Sequence, residues 1–224
     1  MPEVKDDRPS DASLAGLTVI SGLVDAISYV GIGQVFMANM TGNLLILGFA
    51  AGDPSQFPLV ATAIAVVGFF LGAGLAGRLT DRVSNVRRRM VLAMVIETSL
   101  FAVTTVGSFL LPTTQAGRYP LIVALGLAMG GRNTVVRRLK IPDISTTVVT
   151  GTLTNLAADS VLGTGKRTRA RRRAGEIVAL VLGAWVGVLL LRHFGFNATL
   201  VVLTVLMALI TALYTWRTSP ARAR

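Results

Sequence analysis

Residues 57–77 carry no charge, and a helix of that length, at about 1.5 Å per residue, crosses the roughly 30 Å hydrocarbon core of a bilayer. Comparable apolar blocks recur at 14–33, 90–111, 120–136, 174–191 and 198–216, with the charges gathered between them. A soluble core does not need such blocks. A membrane barrel would alternate apolar and polar residues over strands of about ten, whereas these blocks are solid. The expectation is an all-α, polytopic helical membrane protein. With 52% of its 224 residues hydrophobic, the chain holds one such domain at 14–216, between a polar N-terminal tail at 1–13 and a basic C-terminal tail at 217–224. The first residues lack the basic region of a signal peptide and read as a mobile tail.

Two shorter apolar stretches interrupt this series. Met37-Ala38-Asn39-Met40-Thr41-Gly42-Asn43 leads into one, which ends at the breaker Gly52-Asp53-Pro54. Pro142 opens the other, which contains Thr147-Val148-Val149-Thr150-Gly151-Thr152-Leu153-Thr154-Asn155 and fades at Gly163. Other features also pair. Gly22-Leu23-Val24-Asp25-Ala26 is loosely echoed by Gly130-Gly131-Arg132-Asn133-Thr134, and Gly68 with Gly72 by Gly183 with Gly187. The order predicts two repeats, about 14–111 and 120–216, each made of one span, one short segment and two spans.

The net charge of +11 does not mark a nucleic-acid protein, because the basic residues form short tracts at the ends of apolar blocks. Those tracts discriminate between topologies. If both short segments are re-entrant, 19 of the 22 Lys and Arg residues share one side, the cytoplasmic one, with both termini. If both cross fully, the split is 12 against 9; if only the first crosses, 17 against 4. The re-entrant arrangement is preferred: six full spans plus two short broken or re-entrant segments. Three crossings per half make the repeats inverted, a recurrent transporter plan.

A broken segment inside a bilayer survives where protein buries it or where it lines a wet cavity. Thr41 is expected to cap a helix, Gly42 to permit close approach, and the free amides of the helix start to favour an anion or a polar oxygen. Thr150, Gly151 and Thr152 would act likewise from the other side, with Asn39, Asn43 and Asn155 adding polar groups. Close packing between helices is the competing explanation for the same residues. Asp25 within a span is costly and reads as a solute or ion contact, or as a structural bond to Arg132 or a segment end. Arg132 pairs there or snorkels, and Asn133 stands beside it. Glu97 is a candidate protonatable site. Glu176 reads as a surface partner of Arg172 and Arg173, and Trp216, Tyr214 and Tyr119 as interfacial anchors.

No catalytic constellation is present, so the chain is not expected to be an enzyme. The absence of cysteine and the single histidine leave no metal site or cofactor expected. The expected partners are the lipid bilayer, a small polar or anionic solute and a second copy meeting through glycine-rich helices; no nucleic acid is expected.

The motifs Gly22-Leu23-Val24-Asp25-Ala26-Ile27-Ser28 and Val35-Phe36-Met37-Ala38-Asn39-Met40-Thr41-Gly42-Asn43 resemble the N-terminal signature of the YoaK-type bacterial membrane proteins. The stretch 130–138 followed by 147–155 resembles the second signature, with Gly131 where the family pattern has a longer polar residue. The resemblance covers about 14–216 and implies a bacterial cytoplasmic-membrane protein. The family is one of unknown function, so it supplies no substrate, cofactor or catalytic role. The functional expectation is a small-solute transporter or channel with a polar site between the two Thr-Gly broken segments, and the alternative is a non-transporting membrane scaffold that binds a partner through basic cytoplasmic loops.

Overall fold

A computed structural model describes residues 11–139, 149–159 and 170–219. Among these residues every regular element is helical. Helix α1 (Asp11–Ala26) continues as a π-helical stretch, Ile27–Gly33. Gln34 stops it in the left-handed region at φ 56°, its N–H donating to the Tyr29 carbonyl at 3.1 Å. Then come α2 (Met40–Gly52), α3 (Leu59–Asp81), α4 (Val86–Leu110), α5 (Gln115–Arg138), α6 (Val149–Ala158) and α7 (Ala170–Arg217).

Among the described residues four helices are long and apolar enough to cross a membrane: Ala12–Gly33, Leu59–Asp81, Val86–Leu110 and Arg172–Arg217. Helix α5 has the length, but Arg118, Arg132, Arg137 and Arg138 lower its hydropathy. It also starts before Pro120, where the predicted span began, because Thr114 caps it by accepting from the Gly117 N–H at 3.3 Å. The basic stretch between the predicted blocks at 57–77 and 90–111 is mostly helical. Arg78 closes α3, and Arg87 to Arg89 open α4 behind Asn85, whose side chain accepts from the Arg88 N–H at 2.8 Å.

Helix α7 breaks at Gly195, whose φ of 78° suits glycine and no L side chain. The two arms, α7a (170–194) and α7b (196–217), double back along α1. Gly22 lies against Leu180 and Ala184, Gly31 against Leu191 and Phe196, and Gly16 against Ile210. So α7a runs parallel to α1, and α7b antiparallel. On the other flank Gly68 and Gly72 meet Val123 and Leu127 while Gly130 meets Phe69 and Ala73, which makes α3 parallel to α5. These glycines let backbones touch. A Cβ on Gly22 or Gly130 would collide with the carbonyl of Leu180 or Phe69. Gly68, Gly72, Gly183 and Gly187 thus meet helices of the same chain, while Gly74 faces open space.

Helix α4 joins the flanks by packing on α5 and α7. Thr98 bonds Thr211 at 3.1 Å and Thr105 bonds Thr204 at 2.8 Å. At one end of the bundle Arg87 donates to Thr218 at 2.9 Å, Arg138 pairs with Asp81, and Arg173 pairs with Asp159. At the opposite end Arg118 donates to the Ile32 carbonyl at 3.1 Å, beside the 53–58 loop. Tyr214, expected at an interface, is buried at 3% exposure in the core, whereas Trp216 is exposed. The predicted boundaries at Pro142 and Gly163, the basic residues at 140 and 166–169, and the outermost tails lie outside the described residues.

Candidate functional site

The residues singled out by the sequence separate into three places. The first is the link between α1 and α3. After Gln34 the chain turns back to the level of Asp25, whose Oδ1 accepts from the Met37 and Ala38 amides, both at 2.7 Å. Asn43 clasps Phe36 from both sides, accepting from its N–H at 2.9 Å and donating to its carbonyl at 2.6 Å. Asn39, rather than Thr41, caps α2 by accepting from the Gly42 N–H at 3.4 Å. Gly42 leaves room for the Phe36 ring, which stacks on Tyr29. Helix α2 then returns to the 53–58 loop, which lines a hollow shared with Ile32 and Gln34. The link therefore enters and leaves at one end of the bundle. Asp25 bonds a segment end, and the amides of Phe36, Met37, Ala38 and Gly42 bond the chain's own side chains. Thr41 is exposed.

The second place is α6. Thr150 and Asn155 are exposed, Gly151 is half-buried and Thr152 is buried. The Asn155 carbonyl accepts from Arg173 at 3.2 Å. Arg173 and Glu176, expected at the surface, are buried at 7% and 8% exposure. The main neighbour of α2 is α3 and that of α6 is α7, so neither short helix takes the other as its chief packing partner.

The third place is Arg132, 3% exposed in the middle of α5. Its Nε lies 3.2 Å from Glu97 Oε1, so its ion-pair partner is Glu97 on α4 and not Asp25. Three of the other four N–H groups of the guanidinium are committed. One Nη donates to the Leu17 carbonyl at 2.9 Å; the other reaches Ser21 Oγ at 3.2 Å and the Met129 sulfur at 2.8 Å. Asn133 beside Arg132 is half-buried. Glu97 is 1% exposed, and among the described residues neither of its oxygens accepts a well-formed hydrogen bond. Beside the pair lies a cavity of about 260 Å³ between α3, α4 and α5, lined by Leu75, Leu92, Ile96, Leu100 and Leu127 among others.

Sequence reasoning flagged both charges but not their pairing. The signal was there: each is a lone ionisable residue deep in an apolar stretch, and two such residues of opposite sign stabilise one another. No group of three or more potential metal ligands occurs among the described residues.

Residues 13–213 match the family described as protein of unknown function DUF1275. The chain is also similar to the UPF0700 transmembrane protein YoaK of Bacillus subtilis (strain 168), with 33% identity over 148 residues. That alignment covers 65% of this chain and 65% of the relative, so the chain spans just under two thirds of the curated protein's length. The YoaK-type resemblance carried by the paired motifs therefore holds. No solved structure matches the chain.

Proposed function

The chain belongs to the DUF1275 family of unknown function, and within that family we propose that it is a small-solute transporter or channel of the bacterial cytoplasmic membrane, and not an enzyme. The observation that carries this reading is the Glu97–Arg132 pair. A purely structural ion pair in a low-dielectric interior needs its remaining lone pairs satisfied. Here the carboxylate is left short of donors at the edge of a cavity. Intramembrane charges in that condition mark a pathway or a binding site.

The architecture we infer is six crossings, counting α7a and α7b separately, with α2 and α6 as short re-entrant segments and both termini cytoplasmic. Support comes from the alternating helix directions and from the arginines at the end where α4 and α7a begin. The two halves read as inverted repeats. Gly22 and Gly130 each abut a backbone carbonyl and a following alanine amide, and Gly183 and Gly72 each abut the carbonyl of the opposing helix. In this register Gly183 answers Gly72, one turn from the sequence pairing, and Val24 answers Arg132. Such a plan puts the site of a secondary transporter near the midplane, between the repeats.

Reconstitution in liposomes tests the function. Flux of some solute from a broad polar panel is expected, with Glu97→Gln or Arg132→Lys reducing it at least ten-fold. Absence of flux across the panel, or flux indifferent to both variants, rejects the proposal. Because the chain lacks cysteine, Asp53→Cys and Ser84→Cys should label from opposite faces of the membrane; labelling from one face rejects the topology.

A second reading, a scaffold that binds a partner through its basic loops, draws on a groove at Arg82, Arg87 and Arg88. Neutralising these arginines would then release a co-purifying partner from a chain that moves no solute.

A further inference from the structure

The cavity beside Glu97 has a shape and an under-bonded carboxylate that select a class of ligand. Helices α3 and α4 both pack on α5, but among the described residues they form no comparable seam with one another. The gap between them is the cavity. Leu75, Leu79, Leu92 and Ile96 line it and are also 52%, 43%, 39% and 39% exposed on the outer surface, so it opens sideways, where lipid would lie. Its wall is almost wholly aliphatic. Along α4 it runs from Arg89 past Glu97 to Leu100, roughly 16 Å at about 1.5 Å per residue. A cavity of about 150 Å³ accepts a benzene ring, so 260 Å³ suits a ligand of about ten non-hydrogen atoms.

The polar group at the inner end is Glu97. Arg132 touches one of its oxygens, and three of the other four N–H groups of that guanidinium go to Leu17, Ser21 and Met129. Among the described residues neither Glu97 oxygen accepts a well-formed hydrogen bond, so a ligand group that donates fits it, a charged donor bonds it more strongly than a neutral one, and an anion would face the carboxylate. Arg89, at the other end of the cavity and about two helical turns from Glu97, is turned to the Val83 carbonyl.

We propose that this cavity binds a small lipophilic monocation, an amine or guanidinium on an apolar body, which enters between α3 and α4 and donates to the Glu97 carboxylate. The inference rests on the transporter reading for its biological sense and names the solute class. Binding, however, is measurable without transport.

The test is calorimetric titration of the purified full chain in detergent with 4-phenylbutylamine, 4-phenylbutan-1-ol and 4-phenylbutyrate, which share one apolar arm. The amine is expected to bind at least ten-fold tighter than the alcohol, and the carboxylate weakest. Glu97→Gln should erase the amine's advantage while the alcohol still binds. Ala93→Phe, which fills the cavity and leaves the ion pair intact, should weaken amine and alcohol alike by about ten-fold. Equal affinity for amine and alcohol, tightest binding of the carboxylate, or an amine affinity unchanged in Ala93→Phe overturns the proposal. If Glu97→Gln does not fold, the Ala93→Phe arm decides. Flux lost with amine binding intact would sink the transporter reading alone, and flux kept without amine binding would sink this inference alone.

Discussion

The seam between α1 and α7a and the seam between α3 and α5 are built alike. In each, two parallel helices meet through glycines that touch backbone, Gly22 and Gly183 in one, Gly72 and Gly130 in the other. They part company two residues after the shared glycine. Helix α1 places Val24 there, 0% exposed in the apolar core; α5 places Arg132, 3% exposed and paired with Glu97. The same backbone arrangement therefore tolerates either an aliphatic or an ionic centre. Packing alone needs only the aliphatic one, so the charged centre is the better candidate for function.

That contrast can be broken at its most expensive point. Arg132→Ala strands Glu97 in the interior and should cost about 3–5 kcal/mol, read as a loss of thermal stability in detergent. Arg132→Val with Glu97→Leu makes this seam resemble the α1 seam. It should recover most of that stability while abolishing solute flux; a double variant that still transports would erase the functional distinction between the seams. Next in size, Gly22→Ala and Gly130→Ala should each cost about 1–3 kcal/mol, and by similar amounts, because both force a methyl into a carbonyl. Gly74→Ala faces open space and should be neutral or slightly stabilising. Asp25→Ala should cost about 1–3 kcal/mol by orphaning the Met37 and Ala38 amides. Flux that survives this change would assign Asp25 to holding the α2 link rather than to the solute path. Gln34→Gly relieves a left-handed residue and should stabilise by about 1 kcal/mol.

Much of this was legible in the chain. The apolar blocks, the interruption between 191 and 198 and the basic tracts follow from local chemistry, as does the importance of Asp25, Asn39 and Asn43. Their role was less legible. A carboxylate and two amides beside a broken helix suit a solute equally well as a clamp, and only the position of the 34–39 turn shows that Asp25 and Asn43 hold its amides. Thr41 looked like a cap because threonine often caps helices, but Asn39 reaches the Gly42 N–H and the helix begins at Met40. Tyr214 looked interfacial from its place near a helix end, whereas the rotation of α7b turns it inward.

By itself the sequence determined that this chain is helical, where its helices break and which end collects the arginines, because hydropathy, glycine conformation and charge act over one or two turns. The tertiary structure decided who meets whom. Arg132 lies on a helix whose rotation is set by the glycine contact with α3, and that rotation aims it at α4 and Glu97 instead of at Asp25. The unfilled gap between α3 and α4 arises the same way, since both helices spend their close contacts on α5. Partners brought together by helix rotation and crossing depend on the whole assembly, and no window of sequence contains them.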